Sequence, residues 1–391
     1  MNDQAYMKLA LRLAAKGAGW VSPNPMVGAV VVRAGEIVGR GYHRAYGLPH
    51  AEVEAIHRAG EEAQGADLYV TLEPCNHQGK TPPCTQAVLN AGIRRVVIAT
   101  LDPNPRVNGG GAEVLQGRGV QVETGLLAAE ARRLNEAWFK WVATGLPFVI
   151  AKAACSLDGK IATASGESQW LTGEKARSLG HQLRHQVDAI LVGVGTIIAD
   201  DPQLTTRLPS RKTENRKPKT ENRFKDPIRI VLDSRLRLAL SARLLHLDSA
   251  AATWIACTDA APKEKIKALK DLGAEVLVMP GMVRETHPTE IPASVTPEAR
   301  DLVSLPPLLK ELGRRQVQSL LVEGGGETLG SFFDQRLVDK FYFFYAPKIL
   351  GGKTAPGMLA GAGVKHLGNA LQAKELRVSR LGPDLLVMGY L

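Results

Sequence analysis

Three side chains with metal-ligand chemistry constrain the fold of the first part of this chain. They are His50, Cys75 and Cys84, and Glu52 stands two residues after the histidine. One imidazole and two thiolates suit zinc, and three protein ligands leave the fourth tetrahedral position open, as a catalytic zinc requires. Zinc lowers the pKa of a water held there, so that hydroxide forms near neutral pH. Glu52 is not needed as a ligand, and we therefore predict that it carries protons between this water and a leaving group.

The order of these residues matches a known signature, but their spacing departs from it. His-x-Glu followed by Pro-Cys and a second Cys is typical of zinc nucleobase deaminases, in which two residues separate the cysteines. Here residues 76–83 separate them, and this stretch contains Gly79 and two prolines. It predicts a loop, with Cys84 near the start of a helix over 85–90. A structural zinc site or two unrelated buried thiols are the alternatives, and the order of the motif elements disfavours both.

Composition narrows the class of protein. The chain has 391 residues, 45% hydrophobic and 23% charged, which predicts a globular protein of two or three domains. Aromatic residues are only 5%, which argues against nucleic-acid binding by base stacking. The net charge of +10 could indicate a nucleic-acid partner, but much of it lies in the polar segment 208–226. A solvated loop is the favoured interpretation of that segment.

The cellular location is predicted from two kinds of targeting segment, membrane spans and signal peptides, and from the cysteines. No apolar run approaches the roughly 18 residues of a membrane span, and the N-terminus does not resemble a signal peptide. Two of the four cysteines are explained by the metal, which leaves Cys155 and Cys257. We therefore expect a reduced, cytoplasmic protein without a membrane partner.

The hydrophobic pattern predicts an α/β domain over residues 1–145. Helices and strands alternate along this part of the chain, which favours a three-layer arrangement. Helices are expected at 6–16, 50–59 and 85–90, and strands at 27–32, 37–41, 69–72, 96–99 and 120–122. A single helix over 132–144 is expected to cross the domain boundary.

A second α/β domain is predicted over residues 146–391. Its strands are expected at 148–154, 188–194, 228–233, 253–256, 275–278, 319–323, 341–346 and 385–388, and a helix at 174–185. Two inserts without chemistry are expected near 208–226, which repeats Lys-Thr-Glu-Asn-Arg, and near 281–303. Glycine clusters at 193–195 and 324–326 follow predicted strands, and neither has the Rossmann spacing. Together they suggest a dinucleotide across the strand ends.

Residues 1–145 resemble the deaminase half of the bifunctional deaminase/reductase family of riboflavin biosynthesis. The matching segments are Pro23-Asn24-Pro25-Met26-Val27-Gly28, His50-Ala51-Glu52, Glu73-Pro74-Cys75 with Cys84, and Asp102-Pro103-Asn104-Pro105. The resemblance implies a cytidine-deaminase-like three-layer fold and a 2,5-diamino-6-ribosylamino-pyrimidinone 5'-phosphate as substrate. It implies that His50, Cys75 and Cys84 hold Zn²⁺, that Glu52 is catalytic, and that the substrate contacts are Asn24, His43, His77 and Lys80.

Residues 146–391 resemble the reductase half of the same family, which has a dihydrofolate-reductase-like fold and uses NADPH. The cofactor contacts implied are Ala154, Trp170, Thr196, Asp200, Ser234, Gly325, Gly326, Glu327, Thr328, Leu329, Gly330 and Ser331. The substrate contacts implied are Ser168, Arg184, Leu204, Arg207 and Glu323. A guanidinium suits a phosphate, which supports Arg184 and Arg207. Lys152 and Asp200 are both candidates for the proton source, and the family suggests a homo-oligomer.

The expected reaction has two steps on one small-molecule pyrimidine nucleotide. Hydrolytic deamination of the ring comes first, and NADPH then reduces the ribosyl group to a ribityl group. The main alternative is a deaminase of tRNA or another nucleic acid with an attached binding domain, which the basic charge favours and the cysteine spacing opposes. A second alternative is a zinc-stabilised regulator without catalysis, which the presence of Glu52 beside all three ligands disfavours.

Overall fold

The computed structural model describes residues 2–77, 82–104, 110–208, 224–282 and 302–391. The chain divides into two compact units, Met1–Leu146 and Pro147–Leu391. Lys80, Pro105 and most of the two predicted inserts lie outside the described residues. Each unit is an α/β structure with its own sheet.

The first unit is built on a five-stranded sheet of order β2-β1-β3-β4-β5. Its strands are β1 Gly28–Arg33, β2 Glu36–Tyr42, β3 Asp67–Val70, β4 Arg95–Ile98 and β5 Gln121–Thr124. Its helices are α1 Asp3–Ala14, α2 Ala51–Ala59, α3 Cys84–Asn90, α4 Gly111–Gly117, α5 Ala128–Leu134 and α6 Glu136–Thr144. Strand β1 is antiparallel to β2 and β3, whereas β3, β4 and β5 are parallel.

Successive side chains of each strand point to opposite faces of this sheet. They form two hydrophobic cores, one on each face. Val31, Leu68 and Ile98 pack with residues of α2, α3 and α4. Val30 and Tyr69 pack on the other face with residues of α1 and α5. The three-layer arrangement expected from the sequence is therefore confirmed.

Glycine in β2 allows helix α2 to approach the sheet closely. A Cβ atom added at Gly41 would lie 2.2 Å from the Ala51 carbonyl oxygen, and one at Gly39 would lie 2.1 Å from the Ala55 carbonyl oxygen. Because only glycine avoids these clashes, β2 and α2 pack backbone to backbone. This contact fixes the start of α2, where His50 is the N-terminal capping residue.

The second unit is built on a nine-stranded sheet of order β10-β9-β8-β7-β13-β6-β14-β16-β15. Its strands are β6 Phe148–Ser156, β7 Ala189–Gly193, β8 Ile228–Leu232, β9 Thr253–Cys257, β10 Glu275–Val278, β13 Ser319–Glu323, β14 Lys340–Ala346, β15 Lys374–Leu381 and β16 Asp384–Tyr390. Its helices are α7 Glu174–Gln186, α8 Val194–Asp200, α9 Lys263–Asp271, α10 Leu305–Arg314 and α11 Gly326–Asp334. All neighbouring strands are parallel except β16, which is antiparallel to β14 and β15.

A separate pair of short strands joins the two ends of the second predicted insert. They are β11 Gly281–Met282 and β12 Leu302–Val303, and they are antiparallel. The insert expected near 281–303 therefore begins and ends in paired strands.

One local prediction in the first unit is wrong. The helix expected over 132–144 is divided into α5 and α6 at Asn135, whose φ and ψ of −108° and 26° are not helical. The Asn135 side chain instead pairs with the backbone N–H and carbonyl of Met26, at 2.8 and 2.9 Å. The glycine cluster at 193–195 stands at the end of a strand as expected, where Gly193 ends β7 and caps helix α8.

Candidate metal centre and anion-binding cavity

The three predicted metal ligands come together at one end of the first sheet. His50 precedes α2, Cys75 lies in the loop after β3, and Cys84 is the first residue of α3. The His50 Nδ1 atom lies 3.2 Å from the Cys84 Sγ atom and 3.6 Å from the Cys75 Sγ atom. All three ligand atoms lie within 4.8 Å of one another. Ligands at about 2.0–2.3 Å from one ion have separations of this size, so the set fits zinc.

The Cys75 thiol is prepared for this role by its neighbours, whereas the hydrogen bond with Cys75, followed by burial, raises the pKa of Cys84. The Cys84 backbone N–H donates to the Cys75 Sγ atom at 3.4 Å. Hydrogen bonds from Cys84 and His50 lower the pKa of Cys75 to about 4, although burial acts in the opposite direction. A thiolate is the form of cysteine that binds a metal, so Cys75 is in ligand form at neutral pH.

Glu52 is buried beside the ligands with an unsatisfied oxygen. Its side chain is 3% exposed, and burial raises its pKa to about 7. Within the part of the chain that the structure describes, Glu52 Oε2 is the one buried side-chain nitrogen or oxygen without a hydrogen-bond partner. Buried polar atoms of this kind usually have a partner. The oxygen is therefore available to a molecule that enters the centre.

Two of the predicted substrate contacts, Asn24 and His43, join this centre. The Asn24 Nδ2 atom lies 3.2 Å from His43 Nε2, and His43 Nδ1 donates to the Pro49 carbonyl oxygen at 3.2 Å. The rings of His43 and His50 meet edge to face, with centroids 5.2 Å apart. Because both of its nitrogens are engaged, His43 orients Asn24 and has no N–H left for a phosphate. His77 is exposed.

Glu73 holds together the loops around Cys75, a role that the sequence analysis did not anticipate. Its carboxylate accepts the N–H of Asp102 at 3.0 Å and the N–H of Ala112 at 2.9 Å, and its side chain is buried. These bonds tie the end of β3 to the loop after β4 and to helix α4. The sequence signal that could have indicated this role is a glutamate directly before Pro-Cys.

The second unit has a cavity of about 540 Å³ beside helix α7, the middle of β6 and the end of β13. Four cationic side chains and two acidic ones line it: Lys152, Arg177, Arg184, Arg207, Glu174 and Glu323. The excess of cations favours an anionic ligand. Among the predicted residues, Trp170, Arg184, Arg207 and Glu323 all line this one cavity.

Arg184 and Glu323 form a bidentate ion pair in the cavity wall. The guanidinium donates to the two carboxylate oxygens at 2.9 and 2.8 Å and to the Thr205 carbonyl at 3.1 Å. Burial alone would raise the pKa of Glu323, but Arg184 and Lys152 outweigh it and lower that pKa to about 2. Much of the hydrogen-bonding capacity of Arg184 is thus used within the protein, whereas Arg207 is exposed.

The two glycine clusters interlock at the ends of β7 and β13. A Cβ atom added at Gly193 would lie 2.4 Å from Thr328 Oγ1, and one at Gly324 would lie 3.0 Å from Thr196 Oγ1. Gly324 and Gly325 have φ angles of +85° and +59°, which glycine adopts without strain. Thr196 and the first turn of α11 are therefore adjacent, as a shared cofactor site requires.

The remaining predicted cofactor residues lie on several segments. Ala154 is in β6, and Ser234 accepts the Val303 N–H at 3.2 Å. Asp200 ends α8 and accepts the Ser168 hydroxyl at 3.2 Å. The Trp170 ring is 63% exposed, and the Arg177 guanidinium lies 4.8 Å from its centroid.

Three of the predicted contact residues are packed against other parts of the protein. Leu204 is 2% exposed and packs in the core around β7 and β8, so only its backbone is available to a ligand. Leu329 is 1% exposed. A Cβ atom at Gly330 would lie 1.4 Å from the Ala360 carbonyl oxygen, which shows that this glycine serves close packing. The predicted contacts at these three positions therefore stay predictions, and they would not involve an exposed side chain.

Several residues of the cavity were missed in the sequence, and two of them are basic. Arg177 and His181 both line it and lie on the same face of α7 as Arg184. The signal was present, because residues three or four apart share one face of a helix.

Comparison with known proteins places these two sites in context. A model of the cytidine and deoxycytidylate deaminase zinc-binding region matches residues 1–100, and a model of the RibD C-terminal domain matches residues 147–387. The riboflavin biosynthesis protein RibD of Aquifex aeolicus is 42% identical over 98% of this chain and 97% of its own length. The Escherichia coli protein of the same name is 40% identical, with 98% of each chain covered.

The chain belongs to the RibD family. The structure of Acinetobacter baumannii RibD, 35% identical, superposes with a TM-score of 0.82 and covers 99% of this chain and 98% of its own. A Thermotoga maritima structure described as a diaminohydroxyphosphoribosylaminopyrimidine deaminase/5-amino-6-(5-phosphoribosylamino)uracil reductase gives 0.79 at 33% identity, covering 99% and 98%.

RibD family membership confirms the main expectations from the sequence. The chain is a riboflavin-biosynthesis enzyme with deaminase and reductase activities, and it combines a cytidine-deaminase-like fold with a dihydrofolate-reductase-like fold. Zinc and NADPH are the cofactors that this membership supports. Every helix among the described residues is too short or too polar to cross a membrane.

Zinc content tests the metal centre. The purified chain is expected to contain about one zinc per chain, and Cys84→Ser to contain much less, because a tetrahedral site loses one of three protein ligands. Metal analysis by mass spectrometry is the measurement. Cys155→Ser is the matched control, since Cys155 is a buried free cysteine in the second unit. Full zinc retention in Cys84→Ser would contradict the ligand set.

Proposed function

We propose that this chain deaminates 2,5-diamino-6-(5-phosphoribosylamino)pyrimidin-4-one and then reduces the ribosyl group of the product to a ribityl group with NADPH. The name of the Thermotoga maritima relative and the two sites described above support this substrate sequence. We infer that residues 1–145 carry the first step and residues 146–391 the second, close to the unit boundary at Leu146 and Pro147. Family membership favours this small molecule over the nucleic-acid alternative.

The observation that carries the first step is the unsatisfied Glu52 oxygen beside three metal ligands. When zinc is bound, it supplies a water of lowered pKa as the nucleophile. Glu52 Oε2 accepts a proton from that water and returns it to the departing amine nitrogen, which leaves as ammonia. Asn24, oriented by His43, holds the ring or the ribose. His77 and Lys80 remain proposed phosphate contacts.

The reductase step is supported by the cationic cavity and the interlocked glycine clusters. Arg207 contributes a guanidinium that is not paired with Glu323, and we infer that it binds the substrate phosphate more directly than Arg184 does. Arg184, Glu323, Ser168 and the Leu204 backbone complete the proposed substrate site. The NADPH site is proposed at Thr196, Trp170, Ala154, Asp200, Ser234 and the segment 325–331.

The reduction also requires a proton. Lys152 lines the cavity, and its Nζ atom lies 3.7 Å from Glu323 Oε2. Asp200 is not among the residues that line the described cavity, and it is engaged by Ser168. These contacts favour Lys152 as the proton source. A cytoplasmic location is proposed as well, in keeping with the free thiols of Cys155 and Cys257.

Glu52→Gln tests whether the two steps use separate residues. Loss of general acid-base catalysis is expected to lower the deamination rate by at least about a hundredfold. The reduction rate, measured as NADPH oxidation with the deaminated substrate, is expected to stay within about twofold, because the substituted group does not bind that substrate. Ammonia release measures the first step.

The matched control for this experiment is Glu54→Gln on the same helix. Glu54 pairs with Arg44 and Arg58 at the surface of α2. The Glu54→Gln variant should therefore retain deaminase activity. Equal loss of both activities in a folded, zinc-containing Glu52→Gln protein would show that this glutamate does not act as proposed.

We also propose that the chain forms a homo-oligomer through strand β15. This strand ends the nine-stranded sheet, and its backbone pairs only with β16 among the described strands. Leu376 and Val378, two residues apart in this strand, are 56% and 62% exposed. An exposed edge strand with apolar residues is a ready surface for pairing with another chain, and a second copy supplies a self-complementary edge.

Introducing charged residues on this edge tests the proposed oligomer interface. The wild-type chain is expected to have the mass of a dimer or larger at micromolar concentration, and Leu376→Lys/Val378→Lys to shift towards the monomer mass. Light scattering after size exclusion is the measurement. Leu367→Lys changes a residue that is 88% exposed outside β15 and should have no effect. A wild-type monomer, or an unchanged mass in the double variant, would contradict the proposed interface.

A further inference from the structure

Two histidines on helix α7 each accept a backbone N–H from a different flank of the segment 209–223. His181 Nδ1 accepts from Arg207 at 3.2 Å, and His185 Nδ1 accepts from Lys225 at 3.0 Å. The two histidines are one helical turn apart and therefore lie on the same face of α7. Both flanks are thus attached to the same helix.

The two flanks are also bonded to each other. The Thr206 N–H donates to Asp226 Oδ1 at 2.7 Å, and the Thr206 hydroxyl donates to the Lys225 carbonyl oxygen at 3.0 Å. Asp226 accepts in addition from Ser249 at 2.8 Å. These bonds hold residues 206, 225 and 226 together.

Of the two histidines, only His181 lines the described cavity. Its neighbours there are Arg184, Arg207, Lys152 and Glu323. Burial, followed by the charges of Arg184 and Arg207, lowers the pKa of His181 to about 4. The ring is therefore neutral at physiological pH, and its Nδ1 lone pair stays available to the Arg207 N–H.

We propose that His181 is a positioning residue for the reductase reaction. By accepting the Arg207 backbone N–H, it fixes that residue at the cavity so that the guanidinium meets the phosphate of the substrate. Thr205 supports the same placement, because its hydroxyl accepts from Arg207 Nη1 at 3.0 Å. His185 anchors the exit flank and has no such effect. The role in catalysis rests on the proposed reductase function.

The kinetic test measures KM and kcat with 5-amino-6-(5-phosphoribosylamino)uracil. His181→Ala is expected to raise KM about fivefold, the effect of one lost hydrogen bond, with kcat within about twofold. His181→Asn is expected to restore KM, because its amide oxygen occupies nearly the position of Nδ1 and can accept the same N–H. His185→Ala, which removes the equivalent bond at the other flank, is expected to leave KM unchanged.

A double-mutant cycle separates positioning from general destabilisation. If His181 acts through Arg207, adding His181→Ala to Arg207→Ala raises KM no further, because coupled residues are not additive. Additive effects, an unchanged KM in His181→Ala, or an equal rise in His185→Ala would each overturn the proposal.

Two readouts do not require any reaction, so that they remain informative if the proposed function fails. Amide hydrogen exchange at Arg207 is expected to accelerate in His181→Ala and not in His185→Ala. Inorganic phosphate, titrated into the full chain by calorimetry, is expected to bind about fivefold more weakly in His181→Ala. Arg207→Ala should weaken phosphate binding as well.

If wild-type protein reduced no substrate while both results held, the substrate assignment would be wrong and the anchoring correct. Unchanged exchange at Arg207 would overturn the anchoring itself.

Discussion

Parallel strand pairing at the centre of each sheet determines where chemistry can occur in this molecule. Parallel strands all end at the same edge, so the loops that follow them gather there. In the first unit, Cys75 follows β3 and Asp102 follows β4, and Glu73 joins the two loops. In the second unit, Glu323 ends β13 and Gly193 ends β7. Metal ligands, glycine turns and the cationic cavity all depend on this convergence.

Two buried glutamates show how the surroundings give one residue type two functions. Glu52 is buried with no ion-pair partner among the described residues, and burial raises its pKa to about 7, which suits a group that takes up and releases a proton. Glu323 is buried against Arg184 and Lys152, which lower its pKa to about 2 despite burial. It therefore remains a carboxylate and holds the cavity wall in place. Desolvation dominates at the first glutamate, whereas neighbouring charge dominates at the second.

The sequence was most informative where chemistry requires particular residue types in a particular order. His50, Glu52, Cys75 and Cys84 could be predicted because few side chains bind zinc and their order is distinctive. Most strands followed from apolar runs. The break at Asn135 could not be predicted, since it depends on Met26, a residue distant in sequence. Strand β15 was missed because nearly all its residues are exposed and lack a clear alternation. The bond between His181 and Arg207 could not be predicted because its donor is a backbone N–H, which carries no sequence signal.

The most direct test of the account supplies the zinc-loaded chain and NADPH with the undeaminated 2,5-diamino-6-(5-phosphoribosylamino)pyrimidin-4-one as sole substrate, and follows ammonia release and NADPH oxidation together. We expect ammonia to appear first and NADPH oxidation to follow in equal amount, because the second site acts on the product of the first. Ammonia release without NADPH oxidation would contradict the proposed reductase. NADPH oxidation without ammonia would contradict the order of the steps, and the absence of both would contradict the substrate.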